Sequence, residues 1–523
     1  MNKIAQYLNQ HTAGNVFDRA SICEAYSTDH SILKATPRFV ALPEDTEDIR
    51  KILHFCSRLK ERDFSLPVSV SGGRHSKTGA VLGSGIHISM EKMNEIAEID
   101  VRGRLVRVQA GITLGELNTA LAMNGLTIPV ETDPTHTIGG LIASAYEDGY
   151  AGKYGGIYNY LDRLEVVLAD GSVLQTANLS RRSLERAKSE SRLYRDIDKT
   201  LESNTATLDE LESQSFESKG YHSAALVKMK KSFDFLPLIF GSEGTLGIIS
   251  EVILYCDILP PEPKHMFATF STIRTAIDFM EYATELKPLK IELLDAKILD
   301  LASENGKKPT LLGKKNPSGY VVLVEFNDRP RKSMKKIKQC LRHLPKSAFA
   351  IAEDNDNSED FKDFHNSLIS YLNDNLRGER PPLLDDISMP KDRLAHFLSD
   401  LREYAGELES PLPIFGNFLT NNYSVRPEVR LDTVEGRQFA VKFIKRYASI
   451  VTDNSGSVTG GSPEGAVKAL VTKYSDDEKK LYEAIKNAFD PQHILNPNLK
   501  LGATPRAVVR RLRTANNSSI QLA

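Results

Sequence analysis

The feature that most constrains this chain is the run Val68-Ser69-Val70-Ser71-Gly72-Gly73-Arg74-His75-Ser76-Lys77-Thr78-Gly79. Two valines at alternate positions end in adjacent glycines, followed by a cation, an imidazole, a hydroxyl and a further glycine. Glycine lets the backbone turn sharply and approach a ligand with no Cβ in the way. Successive amides in such a turn form an anion-binding concavity, and the Arg74 guanidinium adds charge that does not titrate away. Two readings stay open: a tight turn between strands, or a loop that cradles a phosphate. What precedes the run limits the fold. Phe39-Val40-Ala41-Leu42-Pro43 reads as a short strand, and Asp45-Thr46-Glu47-Asp48 supplies helix N-cap chemistry. Ile49, Ile52, Leu53 and Cys56 then recur at helical spacing. The chain enters the glycine run through strand, helix and strand, a unit that usually makes parallel strands.

Downstream, Ile86 to Ser89 is a further short apolar run, and Leu105 to Gly111 alternates as a half-buried strand does. Thr113 opens a helix carrying Leu114, Leu117 and Leu121 that stops near Gly125. Thr132 to Gly140 is a turn-rich loop, and an apolar strand within Leu161 to Ala169 closes on Asp170-Gly171. Residues 181–235 are highly charged with a helical pattern, a lobe outside the main core. Then comes Gly241-Ser242-Glu243-Gly244-Thr245-Leu246-Gly247. Pro260-Pro261-Glu262-Pro263 is the clearest boundary; beyond it, long strands such as Tyr320 to Phe326 alternate with amphipathic helices such as Lys391 to Tyr404. That pattern predicts an α+β second domain. The divisions expected are 1–258, with the helical insertion at about 181–235, then 259–475, then a return to the first domain over 476–503. Residues 504–523, with Arg506, Arg510, Arg511 and Arg513, read as a disordered basic tail.

Composition excludes several classes. A length of 523 residues suits two or three domains, and a net charge of −2 gives no broad basic footprint for nucleic acid. No apolar run approaches the ~18 residues of a membrane span. The first residues lack the apolar core and cleavage site of a signal peptide, so a cytoplasmic location is expected. Cys23, Cys56, Cys256 and Cys340 stand singly, which argues against a zinc or iron–sulfur site and against a disulfide framework.

Four segments in order carry a resemblance: the Ser71–Gly79 loop, Thr137-Ile138-Gly139-Gly140, the Gly241–Gly247 run, and the Asp490-Pro491…Asn496-Pro497 ending. Together they resemble the FAD-linked oxidases and dehydrogenases of the vanillyl-alcohol oxidase type, over roughly residues 20–505. Within that group the sequence is most similar to the glycolate oxidase and D-lactate dehydrogenase branch. The resemblance implies an α+β chain: a two-subdomain PCMH-type FAD-binding domain followed by an α+β substrate, or cap, domain. It implies FAD as cofactor, with the pyrophosphate on Gly72, Gly73, Arg74, His75 and Ser76, closed by Gly79. Pro134, Thr137, Ile138, Gly139 and Gly140 would run beside the isoalloxazine, with Ser144 following. Ile249 would meet the adenine side, and Asn496 belongs to the closing segment.

His75 stands where the glycolate oxidase branch usually has threonine. Gly-Gly-Arg-His-Ser resembles instead the sugar- and alditol-oxidase branches, in which a histidine here bonds covalently to the flavin 8α-methyl. A neutral imidazole is a competent nucleophile; the other reading is a histidine that only hydrogen-bonds a phosphate or a carbonyl. In the second domain, the segment Ile414 to Pro427 aligns onto the family's Gly-His…His-Val-Arg-Pro, but Asn417 and Ser424 replace its two histidines. Gly461-Ser462-Pro463 likewise stands in place of Glu-His-Gly. Amides and hydroxyls are poor transition-metal ligands and poor bases, so no metal is expected. Arg426 remains for a substrate carboxylate or a structural ion pair, with Tyr423, Asn417 and Glu464 as candidates by location. The expected function is hydride transfer from the hydroxyl-bearing carbon of a small 2-hydroxy acid or sugar alcohol to flavin N5, with substrate between the domains. The electron acceptor stays open among oxygen, a quinone and a partner protein. Two alternatives are a catalytically degenerate FAD-binding subunit of a multi-protein dehydrogenase and a nicotinamide-dependent flavin reductase.

Overall fold

The expected strand–helix–strand entry forms and makes parallel strands, but another strand lies between them. In a four-stranded sheet, β1 (Asn15–Phe17), β2 (Phe39–Leu42), β3 (Val68–Ser71) and β4 (Ile86–Ser89) lie in the order β1-β2-β4-β3. Both β2 and β3 pair in parallel with β4. The connecting helix Thr46–Lys60 starts because the Asp45 carboxylate accepts the Asp48 N–H at 2.8 Å, an N-cap. It buries Ile49, Ile52, Leu53 and Cys56, the face that the spacing marked. Asp48 is itself buried and accepts from the N–H groups of Ala13, Gly14 and Glu44. This is a computed structural model, and it describes residues 2–214, 217–229, 232–304, 319–342, 349–353, 380–461 and 463–514.

The chain divides into two units. The first comprises Met1–Tyr146, Ile157–Leu259 and Ser462–Arg513; the second comprises Glu147–Gly156 and Pro260–Gly461. The first unit holds a second sheet, made of β5 (Ile96–Asp100), β6 (Leu105–Gln109), β7 (Leu161–Val167), β8 (Val173–Gln175) and β9 (Ile248–Tyr255). Its order is β5-β6-β9-β7-β8, antiparallel throughout. Helix Leu114–Ala122 carries a capping box between Thr113 and Glu116 and buries Leu114, Leu117 and Leu121. The charged stretch 181–235 forms helices Arg181–Glu190, Arg192–Ser203 and Thr205–Ser213 beside a small three-stranded sheet.

The second unit is built on one seven-stranded sheet: β10 (Lys264–Phe270), β11 (Lys290–Asp295), β12 (Tyr320–Phe326), β13 (Phe349–Glu353), β14 (Ile387–Ser388), β15 (Ile414–Asn417) and β16 (Asn422–Val425). The order is β13-β10-β12-β11-β15-β16-β14, and every pairing is antiparallel. Every described residue of β12 is buried, as its unbroken apolar run requires.

Three expectations are corrected. The cap domain does not extend to residue 475, because 463–475 is tied to the first unit. Glu464 is buried and accepts from the Gly220 N–H at 2.8 Å, Gly465 N–H donates to Glu243, and the Ala466 and Val467 N–H groups donate to the Thr78 carbonyl. Conversely, residues 147–156 belong to the second unit. The basic tail is ordered at its start: Pro505–Arg510 is a helix capped by Thr504, and Arg511 and Arg513 donate to the carbonyls of Leu82 and Leu33. Those arginines are held by backbone carbonyls, which a charge count does not reveal.

Candidate functional site

In the first unit, the glycine loop and its partner loop meet through backbone that only glycine allows. A Cβ at Gly72 would lie 1.8 Å from Thr137 Oγ1, and one at Gly73 would lie 2.7 Å from the Thr135 carbonyl. Thr135 Oγ1 and His75 Nε2 are hydrogen-bonded at 2.9 Å, so the partner loop also fixes the imidazole. Thr137 closes that loop by N-capping helix Ile138–Ala143, where its hydroxyl accepts from Gly140 N–H. Ile138, Gly139 and Gly140 are therefore the first turn of a helix rather than the end of a loop. The Ile138 and Gly139 amides donate to the carbonyls of Ile112 and Ala110.

The third motif caps the other end of this helix. Gly241 and Glu243 N–H groups donate to the Ile142 and Ala143 carbonyls, at 2.9 and 2.8 Å. Glu243 is in the left-handed region (φ 54°) and buried, paired with Lys500 at 3.1 Å and accepting from Gly465 N–H at 2.8 Å. The chain's closing segment then returns to the first: Asn496 Nδ2 donates to the Glu243 carbonyl at 2.7 Å, and Asn496 N–H to the Val68 carbonyl at 2.8 Å. Val68 N–H donates to Ile494, so the return adds a parallel bridge to the outer edge of β3. Lys486, buried, fastens this turn by donating to Asp490 and to the carbonyls of Thr245 and Leu495. The four motifs thus form one closed circuit of loops.

Individual residues fall as follows. Arg74 takes a left-handed conformation (φ 59°); its guanidinium donates to the Ala25 carbonyl and lies 4.5 Å over the Tyr26 ring. Ser76 Oγ accepts from the Thr78 and Ala80 N–H groups, setting the turn that ends at Gly79 (φ 76°). The Pro134 carbonyl accepts from Gly115 N–H, and Ser144 Oγ donates to Leu141. Ile249 is buried on β9 opposite Val166. The sequence reading passed over His136 and His30. Their rings lie 4.2 and 5.2 Å from that of His75, and burial, with His75 second, pushes the His136 imidazole down to about 3. Their only sequence signal is position: His136 lies inside the Pro134–Gly140 loop.

The residues present fit a dinucleotide. Gly72 and Gly73 leave the backbone of the first loop bare of side chains, Arg74 and Lys77 are cationic, and no acid lies between Ser71 and Gly79. Such a donor set suits a pyrophosphate.

In the second unit, the candidate residues sit on the β15–β16 hairpin. Asn417 and Asn422 face each other in register. Asn417 Nδ2 donates to the Gly149 carbonyl at 2.8 Å while its Oδ1 accepts from Leu419 N–H. Asn422 Nδ2 donates to Glu147 Oε2 at 2.5 Å. Ser424 Oγ donates to Asp386 Oδ1 at 3.0 Å and accepts from its N–H. Arg426 is buried, and its Nε and Nη2 donate to Asp385 at 3.1 and 2.7 Å. Tyr423 is buried, with no hydrogen-bond partner for its hydroxyl among the described residues, and burial pushes that hydroxyl up. Glu464 and Gly461 do not share a unit, and Ser462 lies outside the described residues. Glu147, which the sequence reading missed, is pushed up to about 7 by burial; Asp148 and Asp386 add to the shift, and the Asn422 amide opposes it. Among the described residues, no group of three histidine, cysteine or carboxylate side chains is arranged to hold a metal, and no helix is long and apolar enough to cross a membrane.

Comparison with known proteins agrees with this geometry. Residues 37–177 match the FAD binding domain, and residues 259–499 match the C-terminal domain of FAD linked oxidases. The chain belongs to the FAD-linked oxidases, an oxidoreductase family with FAD as cofactor. A D-2-hydroxyglutarate dehydrogenase of Pseudomonas putida is 27% identical over 90% of this chain and 49% of its own length. A D-lactate dehydrogenase of Archaeoglobus fulgidus is 26% identical over 91% of this chain and 95% of its own. The chain spans about half the length of the first of these relatives. A solved 4-ethylphenol oxidase from Gulosibacter chungangensis shares the fold, with a TM-score of 0.66 at 14% identity, over 94% of this chain and 95% of that one.

Proposed function

We propose that this chain is an FAD-dependent dehydrogenase or oxidase that removes a hydride from the hydroxyl-bearing carbon of a small 2-hydroxy acid. A sugar alcohol is the second substrate class within the same chemistry. The observation that carries this reading is the closed circuit of four loops in the first unit. It supports a pyrophosphate site on Gly72 to Ser76 and Gly79, with Pro134 to Gly140 and Ser144 along the flavin. The 2-hydroxy acid is supported by the named activities of the two relatives. Bound FAD supplies the two-electron acceptor, at N5. The protein's own residues orient the substrate and take its hydroxyl proton. Arg426 already spans Asp385, so its place in this proposal is to hold the β16 end in register; Asn417 does the same for residues 147–156, through Gly149.

His75 is the residue we assign to covalent attachment, because Thr135 holds its ring against the partner loop. His75 would hold the flavin through an imidazole nitrogen bonded to its 8α-methyl carbon; such a link would give up one methyl C–H and the imidazole N–H as two protons and two electrons, the electrons passing through the flavin to oxygen or a quinone. Asn417 and Ser424, standing in place of imidazoles, favour one other reading: a subunit that binds FAD but needs partner proteins to turn over. Anaerobic bleaching of the flavin by a panel of (R)-2-hydroxy acids and polyols separates the two. Bleaching by one of them is expected; an FAD-loaded protein that none of them bleaches would refute the dehydrogenase reading. Acid precipitation tests the link separately. Yellow colour is expected in the pellet and, for His75→Ala, in the supernatant; wild-type colour in the supernatant refutes the covalent bond.

A further inference from the structure

The hydrogen bond between His75 and the partner loop continues into a short chain of groups, all within the first unit. His75 Nε2 is 2.9 Å from Thr135 Oγ1, and that hydroxyl gives its one hydrogen to Asp133 Oδ1 at 2.5 Å. A hydroxyl whose hydrogen is spent on a carboxylate can only accept from an imidazole. The chain therefore fixes the tautomer: His75 carries its hydrogen on Nε2, and the lone pair of the neutral ring is on Nδ1. Asp133 is held as a carboxylate. Partial burial alone would raise it, but the Thr135 hydroxyl and N–H, with His75 and His136 beyond them, bring it below the ordinary range. Gly73 makes the approach possible, since a Cβ there would stand 2.6 Å from His75 Cδ2 and 2.9 Å from its Nε2. His136, whose ring lies 4.2 Å from that of His75, is bonded through its Nδ1 to Thr132 Oγ1 at 2.8 Å. Asp133 and Thr135 still meet solvent, so a proton that reaches the carboxylate can pass on to water.

We infer that Thr135 and Asp133 are positioning residues for covalent flavin attachment, holding His75 with Nδ1 as its nucleophilic nitrogen and drawing off the Nε2 proton as the bond forms; the inference rests on the covalent reading above. In the step, a bond forms between Nδ1 and the 8α carbon. One methyl C–H and the Nε2–H break, which releases two protons and two electrons. The Nε2 proton passes to Thr135 Oγ1 as Thr135 gives its own to Asp133, and the methyl proton leaves to solvent. The electrons pass through the flavin to dioxygen, the oxidant of the step, which takes up two protons and becomes hydrogen peroxide. The relay matters because a ring bonded at Nδ1 that keeps its Nε2 hydrogen is a cation, and a cationic imidazole leaves more readily than a neutral one. Removing that proton as the bond forms is general-base assistance given through Thr135.

The test follows attachment in full-length apo-protein mixed with saturating FAD in air, so that a change of affinity does not enter the rate. Samples are precipitated with acid over time, and the flavin fluorescence of the pellet is measured. Wild type is expected to build up pellet flavin in a single exponential. Thr135→Val, which keeps the shape and loses the hydroxyl, and Asp133→Asn should each slow it by roughly 10²-fold, while both still turn yellow with unlinked FAD. Thr135→Ser, which restores the hydroxyl, should link at the wild-type rate. Heteronuclear NMR of histidine-labelled apo-protein gives a readout that needs no flavin. His75 is expected as the Nε2–H tautomer in wild type and in Thr135→Ser, and as a mixture of tautomers in Thr135→Val. Attachment at the wild-type rate in Thr135→Val or Asp133→Asn, or an Nδ1–H tautomer in wild type, overturns the relay and leaves the covalent bond standing. A wild type that binds FAD and leaves none in the pellet overturns the bond itself.

Discussion

Replacing Gly72 with alanine probes whether the glycine loop and the Thr137 loop are held by the close approach of Thr137 to the Gly72 backbone. The added Cβ would stand 1.8 Å from Thr137 Oγ1, against the 3.4 Å at which ordinary contact begins, a shortfall of 1.6 Å. Thr137 is buried and caps helix Ile138–Ala143, so it cannot yield without releasing the Gly140 N–H. Overpacking of this kind costs about 1–3 kcal/mol and loss of the cap about 1 kcal/mol, which together make about 2–4 kcal/mol. Denaturant titration of the apo-protein reads the stability, with the slope checked against wild type. FAD titration reads the affinity, where 2 kcal/mol corresponds to about 30-fold. The discriminating variant is Gly72→Ala/Thr137→Ala. Truncating Thr137 removes the oxygen at 1.8 Å and the methyl at 3.0 Å, leaving its Cβ at 2.9 Å. The double variant should then be no less stable than Gly72→Ala alone, although Thr137→Ala by itself costs about 1 kcal/mol. Additivity of the two single effects to within ~0.5 kcal/mol would show that the residues do not meet, and the proposed approach of the loops would be wrong.

Two further outcomes follow from buried charge in the first unit. The Lys500 and Glu243 side chains are each about 1% exposed and pair at 3.1 Å, so Lys500→Met leaves a buried carboxylate that, among the described residues, keeps the hydrogen bond from Gly465 N–H. A loss of about 3–5 kcal/mol is expected by denaturant titration; a loss below 1 kcal/mol would mean that the return segment is not locked there. His87 lies between Ser69 and Ser71, bonded at 3.0 and 2.8 Å, and burial, aided by Arg74, pushes its imidazole down to about 3. The unfolded chain binds that proton near pH 6.5 and the folded one only near pH 3, so stability falls as pH drops through this window. The slope is about 1.4 kcal/mol per pH unit for this group. His87→Gln should flatten the pH dependence between pH 6 and 4 by that amount, and an unchanged slope would place the proton elsewhere.

What the sequence discloses here is local, and what it conceals is partnership at a distance. The helix Thr46–Lys60 was legible because its cap and its buried face lie within fifteen residues, and β12 because an unbroken apolar run has to be buried on both faces. The glycine loops were legible because glycine reports a close approach even when the approaching atom is unknown. Nothing in Val68–Ser71 says that Ile86–Ser89 will lie against it or that Asn496 will close its other edge, since a strand's hydrogen bonds accept any backbone. Arg426 shows the same limit in a side chain. An arginine fork fits a substrate carboxylate and Asp385 equally well, and only the fold supplies the latter. Glu147 is the extreme case. In sequence it is one acid beside another, in a stretch with no periodicity. Its poise near neutrality arises from burial, with Asp148 and Asp386 raising it further and the Asn422 amide, 275 residues away, drawing it back down. A carboxylate poised in this way leaves no motif. Such a group becomes visible only once the fold has brought the amide and the neighbouring acids to it, because burial and nearby charge, rather than residue type, set where it titrates.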